Sequence, residues 1–205
     1  MNRIIEKTVR NLERDRITAD VANSGEEVIR TLDDLIPDGA VVGAGDSLTL
    51  EQLGVYDHLR RRDIKFLDKH KDGLGSEEKR QIYLASFHAD FFISGVNAVS
   101  ASGRLYFMDG NGSRLAPIIY GPEKVILISG INKISEDNVA AVKRIREIAA
   151  PRDALRLDKC TPCTISGHCE DCKSEEKICN YFSFIQGQFD RERIRVLLVK
   201  RHLGF

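Results

Sequence analysis

The sequence contains no long hydrophobic run and no excess of charge of either sign. Its longest stretch without an acidic or basic side chain covers residues 91–103 and includes several serines and glycines, whereas a transmembrane helix needs about 20 mostly apolar residues. The 31 basic and 31 acidic residues cancel, so no overall field steers the protein toward nucleic acid or an anionic membrane. We therefore expect neither a nucleic-acid nor a membrane partner, and any anion site must be local.

An export signal and a disulfide framework are also lacking. The first residues interleave charged side chains such as Arg3 and Glu6 with apolar ones such as Ile4 and Val9, which is typical of an amphipathic helix and not of a signal peptide. The five cysteines all lie within residues 160–179, and an odd number without an export signal argues against structural disulfides. The sequence predicts a cytoplasmic protein whose cysteines have another role.

Amphipathic segments predict several helices. Ser24 and Glu27 have capping-box spacing and predict a helix over residues 24–35. Another is predicted over residues 76–88, and a short one is expected to begin near Leu115. Ser135 is expected to cap a helix that ends before Pro151, with its inner side formed by Val139, Val142, Ile145 and Ile148.

Short apolar segments between these helices predict buried strands at residues 40–42, 64–67, 91–93, 105–108, 125–128 and 194–199. Strands that alternate with helices indicate an α/β fold, a mostly parallel open sheet with helices on both faces. We expect one domain over residues 1–205. A cysteine-rich insertion at about residues 158–182 precedes the last strand, and order is expected to resume only at that strand.

Three polar loops follow predicted strands and form the candidate ligand site, because ligands of parallel sheets bind beyond the carboxyl ends of the strands. The first supplies Gly43, Gly45, Asp46, Ser47 and Thr49, the second Gly95 and Asn97, and the third Asp109, Gly110, Asn111, Gly112 and Arg114. Glycines permit close backbone approach, and hydroxyl, amide and guanidinium groups suit an anion. The third loop is the strongest signal, because a simple turn does not need an arginine.

Each loop also has a purely structural explanation. The first is neither a Walker loop nor a complete GxGxxG, since Leu48 replaces the third glycine, and Ser47 would serve only as a helix cap. Asn97 would satisfy nearby backbone groups. Arg114 would form a surface ion pair with Asp109, worth about 0 to 1 kcal/mol. The sequence leaves both explanations open.

The cysteines form two CxxC pairs, Cys160 with Cys163 and Cys169 with Cys172, followed by Cys179. Four close thiolates can enclose a zinc ion or an iron–sulfur cluster. The gap between the pairs is too short for a zinc ribbon, and the spacing also differs from the bacterial ferredoxin run. Ligation is favoured, iron–sulfur ahead of zinc, with His168 available as a substitute ligand. Free buried thiols and redox disulfides are the alternatives.

Four segments carry a family resemblance. They are VGAGDSLTLEQLG, SGVNAVSASGRLYFMDGNGSRLA, GPEKVILISGINKISEDNVAAVKRIREIAAP and the ending RIRVLLVKRHLGF. Together they resemble the LUD family, named for lactate utilisation, over about residues 2–205. The resemblance implies a fold similar to the ribose-phosphate isomerase and coenzyme A transferase group. It also implies a subgroup whose cysteine tail corresponds to Cys163, Cys169, Cys172 and Cys179, which leaves Cys160 outside the motif.

Isomerase chemistry is not expected, although Gly43 to Thr49 is similar to an isomerase phosphate-binding loop. Asn97 stands where those enzymes tend to carry acidic residues, and no lysine lies between Ala89 and Pro122. The remaining histidines, His58, His70, His88 and His202, occupy separate predicted elements and are expected to be structural.

The resemblance and the loops predict a role in lactate or related organic-acid utilisation. An anionic small molecule is the expected ligand, and the cysteine tail would pass electrons to redox partner proteins. One alternative is a sugar-phosphate or coenzyme A thioester enzyme, with Asp109 or Glu51 as acid–base group and Arg114 as anion clamp. Another is a non-enzymatic ligand-binding or assembly subunit in which zinc pins the last strand.

Overall fold

The computed structural model describes residues 2–205. Its strands are β1 (Thr18–Ala22), β2 (Val41–Ala44), β3 (Lys65–Leu67), β4 (Phe91–Gly95), β5 (Ala98–Ser100), β6 (Arg104–Asp109), β7 (Lys124–Gly130), β8 (Ile134–Ser135), β9 (Tyr181–Ile185) and β10 (Ile194–Val199). Its α-helices are α1 (Asn2–Arg14), α2 (Gly25–Leu35), α3 (Leu48–Gln52), α4 (Val55–Arg61), α5 (Ser76–Ala85), α6 (Leu115–Ile119), α7 (Asn138–Arg144), α8 (Ala150–Arg156) and α9 (Pro162–Ser166). Within this range, no helix combines the length and apolar character that crossing a membrane requires.

The main sheet has six strands in the order β1, β10, β7, β4, β2 and β3, and every pair is parallel. Helices α2, α3 and α4 pack on one face, where they meet Ile126 and Ile128 of β7. Helices α1 and α6 pack on the other face, where they meet Val125 and Leu127. Because β7 is buried on both faces, its sequence is a continuous apolar run. The predicted α/β fold is confirmed.

Helix α2 begins where the sequence places it. Ser24 Oγ accepts a hydrogen bond from the backbone N–H of Glu27 at 3.3 Å. The Glu27 carboxylate accepts from the backbone N–H of Asn23 at 2.7 Å, one residue earlier than a standard capping box would have it. The backbone N–H groups of Asn23 and Glu27 are therefore both hydrogen-bonded at the start of the helix. The helix ends before Pro37.

A second sheet, in the order β8, β5, β6 and β9, packs on the α1 side and was not predicted. The predicted strand at residues 105–108 belongs to this sheet as β6, paired antiparallel with β5 and β9. The expectation that order resumes only at the last strand is wrong, because β9 lies between the cysteine loop and β10. Phe182 and Phe184 of β9 remain half-exposed beside Tyr106, so this strand lacks the buried pattern that would reveal it.

The helix predicted to follow Ser135 differs from expectation at both ends. Ser135 belongs to β8, and the cap is Asp137, whose Oδ1 accepts from the N–H of Ala140 at 2.8 Å. The helix also passes through Pro151, because a π-helical segment, Ile145–Ala149, joins α7 to α8. Its inner side is formed by Ala141, Ile145 and Ala149, while Val139 is 77% exposed. Ile148 is exposed as well. The predictions of Val139 and Ile148 as inner residues are therefore wrong.

Candidate functional site

A cavity of about 450 Å³ lies beyond the carboxyl ends of β2, β4 and β7. All three predicted loops reach it, with Asp46 and Ser47 from the first, Gly95 and Asn97 from the second, and Asp109, Gly110, Asn111 and Arg114 from the third. Parallel strands end at one edge of a sheet, so loops distant in sequence meet there. Gly43, Gly45, Thr49, Glu51 and Gly112 do not line the cavity, although the sequence proposed them.

The first loop is held in place by close packing. A Cβ on Gly45 would lie 2.6 Å from Ser94 Oγ and 2.8 Å from Arg114 Cγ, so glycine is needed to let the Arg114 side chain pass. The Tyr56 hydroxyl donates to the carbonyl of Gly45 at 2.7 Å and accepts from the N–H of Ser47 at 3.0 Å. Ser47 precedes α3 but makes no side-chain capping bond. Because Ser47 also lines the cavity, its hydroxyl is available to a ligand.

Thr49 and Glu51, the two other polar candidates near the first loop, lie in different environments. Thr49 is fully buried, and its hydroxyl accepts a hydrogen bond from Lys133 Nζ at 2.9 Å. Glu51 is exposed on α3 and outside the cavity lining. Thr49 therefore supports the cavity from behind, and Glu51 does not belong to the lining that a ligand's acid or base would have to share.

The second and third loops are tied together by Arg114. Its Nη2 donates to the backbone carbonyl of Met108 at 2.6 Å and to Asn97 Oδ1 at 2.9 Å. Asn97 Oδ1 also accepts from the N–H of Met108 at 3.0 Å, so the amide does satisfy local backbone groups. The guanidinium is thus fixed at the cavity wall with its charge uncompensated by these neutral acceptors.

The expected ion pair between Arg114 and Asp109 does not form. The Asp109 carboxylate instead accepts backbone N–H groups from Gly110 at 2.9 Å, Arg114 at 3.2 Å and Leu115 at 2.9 Å. It holds the start of α6, where a negative charge is stabilised by the helix N-terminus. With its oxygens occupied in this way, Asp109 is poorly placed to exchange a proton with a ligand.

Four lysines and an arginine that the sequence did not single out also line the cavity, Lys159 and Lys177 near the cysteine loop and the other three nearer the sheet. Lys69 follows β3, Lys133 ends the short 3₁₀ turn after β7, and Arg156 lies on α8. Arg156 pairs with Asp46 at 3.3 Å and with Asp153 at 2.8 Å. Lys69 and Lys133 each lie in the loop that directly follows a strand of the parallel sheet, and this position is the sequence signal that points to them.

Burial and neighbouring charges together set the pKa values of the residues at this wall. Burial alone would raise the pKa of Asp46, but Lys69 and Arg156 lower it below its ordinary value. Burial lowers the pKa of Lys69, against the opposing effect of Asp46. Burial also lowers the pKa of Lys133 to about 7, and Arg144 and Arg114 add to that effect. A buried amine among guanidiniums loses its proton readily.

The four cysteines of the predicted motif meet around a second, smaller cavity of about 70 Å³. Cys163, Cys169, Cys172 and Cys179 all line it, while Cys160 is exposed outside it. Burial raises the pKa of Cys179, and repulsion from the other three thiols raises it further. All five cysteines are free, and no group of His, Cys, Asp or Glu side chains within residues 2–205 is arranged to hold a single metal ion.

The two cavities adjoin each other. Met108, Ala150, Lys177 and Ile178 line both of them. Met108, the next-to-last residue of β6, lines both cavities, and its backbone carbonyl accepts a hydrogen bond from Arg114 Nη2. His168, the proposed substitute ligand, does not line the cysteine cavity.

The other histidines show ordinary local contacts. His58 Nε2 lies 2.8 Å from Asp33 Oδ1, and the His70 ring packs against Tyr56 with ring centroids 4.7 Å apart. Neither residue lines either cavity.

The fold and the cavities define a class of protein, an α/β domain with a charged cavity at the carboxyl edge of a parallel sheet and a cysteine-lined cavity beside it. The family model described as LUD domain matches residues 5–199. The chain therefore belongs to the LUD domain family, as its sequence motifs predicted.

The fold is similar to a solved structure, that of a DUF162 family protein from Deinococcus radiodurans. The two chains share 11% sequence identity, the match covers 97% of each chain, and the TM-score is 0.57. At this identity the likeness shows the fold alone. The search of curated proteins found no match. Similarity to the ribose-phosphate isomerase and coenzyme A transferase group stays a prediction.

Proposed function

We propose that this LUD-family protein binds the anion of a small organic acid, such as lactate or its oxidation product, in the larger cavity. We further propose that its four cysteines hold an iron–sulfur cluster beside that ligand. The observation that carries the first part is Lys133, a buried amine that lines the cavity and has no carboxylate partner. Buried charges in proteins are normally paired, so an anion bound at this wall would supply the partner that the protonated form of Lys133 lacks.

The other charges at the wall support this assignment. Among residues 2–205, Lys143 is the one lysine with a carboxylate within 4.0 Å, and it lies outside this cavity. The three aspartates of the wall are already engaged, Asp46 and Asp153 by Arg156 and Asp109 by backbone N–H groups. The other two lining acids, Glu175 and Glu176, lie on the exposed cysteine loop. At the sheet edge, the positive charge of Lys69, Arg114 and Lys133 is left for a ligand.

The four cysteines of the motif are brought together by the fold. Cys163, Cys169, Cys172 and Cys179 all line one small cavity, and four close thiolates are the ligand set of an iron–sulfur cluster. Cys163, Cys169, Cys172 and Cys179 would hold the group, which when bound supplies one-electron transfer. The shared wall would place it next to the ligand, and redox proteins are the expected partners.

The alternative of a sugar-phosphate or coenzyme A thioester enzyme has less support. Its two acid–base candidates are badly placed, since Asp109 is committed to backbone N–H groups and Glu51 lies outside the cavity. The cationic wall would still accept a phosphate, so phosphate is the informative competitor in a binding test.

The anion proposal is tested by equilibrium dialysis at pH 7 with L-lactate, pyruvate and inorganic phosphate as probes. We expect a carboxylate to bind, and Lys133→Met to weaken that binding about 10- to 100-fold, the value of a charged hydrogen bond. Lys143→Met, on an exposed side chain, serves as the matched control. Preference for phosphate would favour the alternative enzyme class, and binding of neither carboxylate would refute the proposal.

The cluster proposal is tested by anaerobic purification followed by iron, acid-labile sulfide and visible-absorption analysis. We expect stoichiometric iron and sulfide in the natural protein and in Cys160→Ser, and loss of both in Cys172→Ser. Zinc without sulfide would support the structural-zinc alternative, and absence of any metal would refute ligation.

A further inference from the structure

Lys133 has the surroundings of a nucleophilic amine. It lies in the turn after β7, its side chain lines the larger cavity, and the residue is only 5% exposed. Its Nζ donates to Thr49 Oγ1 at 2.9 Å, and no carboxylate in residues 2–205 lies within 4.0 Å of it. Lysines become nucleophiles when they are desolvated or placed next to another cation, and Lys133 meets both conditions.

We propose that Lys133 forms an imine with the carbonyl group of a 2-oxo acid bound in this cavity. This inference rests on the proposed function, because the carboxylate of the acid needs the cationic wall. It narrows the ligand from organic acids in general to those that carry a carbonyl group. Pyruvate is the simplest probe of that class.

The charges around Lys133 keep its amine available at neutral pH. Burial and the guanidiniums of Arg144 on α7 and Arg114 before α6 lower its pKa to about 7, and only Asp153 on α8 opposes them. Roughly half of the amine is then neutral at pH 7, compared with roughly one in a few thousand for an exposed lysine of ordinary pKa. Thr49 on α3 is the one side chain bonded to Nζ, and it carries no charge.

The reaction balances without any redox partner. The nitrogen lone pair attacks the carbonyl carbon, and a carbon–nitrogen bond forms. The nitrogen then gives up its two protons, and the carbonyl oxygen leaves with them as water. The Thr49 hydroxyl is within reach to relay a proton, while Arg114 and Lys69 remain charged to hold the carboxylate.

The other lysines lack this combination. Lys69 lines the cavity but is only partly buried, and the carboxylate of Asp46 counteracts the loss of its proton. Lys159 and Lys177 also line the cavity and are only partly buried. Outside the cavity, Lys143 is 68% exposed and paired with Glu147. A reagent that selects neutral amines next to a bound oxo acid should therefore select Lys133.

The test is reductive trapping with pyruvate and cyanoborohydride at pH 7, followed by peptide mass mapping. We expect carboxyalkylation of Lys133 at least tenfold above that of any other lysine. Lys133→Arg keeps the charge but cannot form an imine, so it should bind pyruvate in dialysis and yield no label. Lys143→Arg is the control and should label like the natural protein.

A second part of the test uses only the natural protein. L-lactate has no carbonyl group, so it should compete with labelling and never be incorporated. If dialysis shows bound pyruvate while Lys133 stays unlabelled, or if label spreads evenly over exposed lysines, the imine is refuted and the proposed anion site stands. If L-lactate binds while pyruvate is neither bound nor trapped, the imine alone is refuted; if neither acid binds, both proposals are refuted.

Discussion

Replacing Lys133 by methionine should stabilise the fold in a strongly pH-dependent way. The pKa of Lys133 is about 7 in the folded protein against an ordinary value of 10.5. The unfolded chain thus binds this proton more tightly, and the folded state is penalised for carrying the charge. The penalty is largest below pH 7, shrinks between pH 7 and about 10.5, and vanishes above that range.

The size of the effect follows from the same two pKa values. At 1.36 kcal/mol per pH unit, their difference corresponds to an upper limit of about 5 kcal/mol. Relaxation of the site and the lost hydrogen bond to Thr49 will reduce it. We expect Lys133→Met to exceed the natural protein in free energy of unfolding by about 2 to 4 kcal/mol at pH 6.5, with the difference near or below zero by pH 10.

Urea denaturation of both proteins from pH 6 to 10 measures this difference, and other titrating groups cancel in the comparison. The exposed Lys143→Met should show a change below about 0.5 kcal/mol that is flat with pH. A Lys133→Met difference that does not vary with pH would refute the assignment of Lys133 as a buried, unpaired amine.

Three further substitutions test the fold and the site by urea denaturation. Gly45→Ala should cost about 1 to 3 kcal/mol and weaken pyruvate binding, since its Cβ would displace Arg114. Gly75→Ala is the control: its Cβ would meet nothing closer than 3.4 Å, so it should cost only the poorer α5 N-cap, about 0.5 to 1 kcal/mol, and leave pyruvate binding unchanged. Equal loss of binding in the two variants would contradict this packing. Ser24→Ala should cost about 1 kcal/mol through the lost α2 cap, and an unchanged midpoint would argue against that cap. Phe107→Ala should cost about 3 to 5 kcal/mol because its ring is fully buried, and a loss under 1 kcal/mol would place it outside the core.

The main sheet could be predicted because its central strands are buried on both faces. Segments such as Val125 to Ile128 are continuously apolar, and glycine, proline and short polar residues mark the loops between strands and helices. The second sheet gave no comparable signal. Its strands β5 and β8 have only three and two residues, and β9 keeps half-exposed aromatic residues that a solvent-facing loop would also tolerate.

The loops of the candidate site could be predicted from the sequence, whereas its cationic residues other than Arg114 could not. Glycine, asparagine and aspartate clusters after strands are visible in sequence, and parallel topology brings them together. Lys69 and Lys133 are two lysines among many, and nothing in the local sequence shows that both line a cavity or that Lys133 is buried. The contacts of Arg114 were likewise hidden, because its acceptors, Asn97 and the Met108 carbonyl, become neighbours only when β5 pairs with β6.

The central claim is that the cationic cavity and the cysteine cavity, which share four wall residues, act as one functional unit. The most direct test is the reduction potential of the anaerobically purified protein with and without saturating pyruvate. An anion bound next to the cluster should make electron uptake less favourable and lower the potential by tens of millivolts, on the order expected for a nearby charge. An unchanged potential, or a preparation without reducible iron, would contradict the claim.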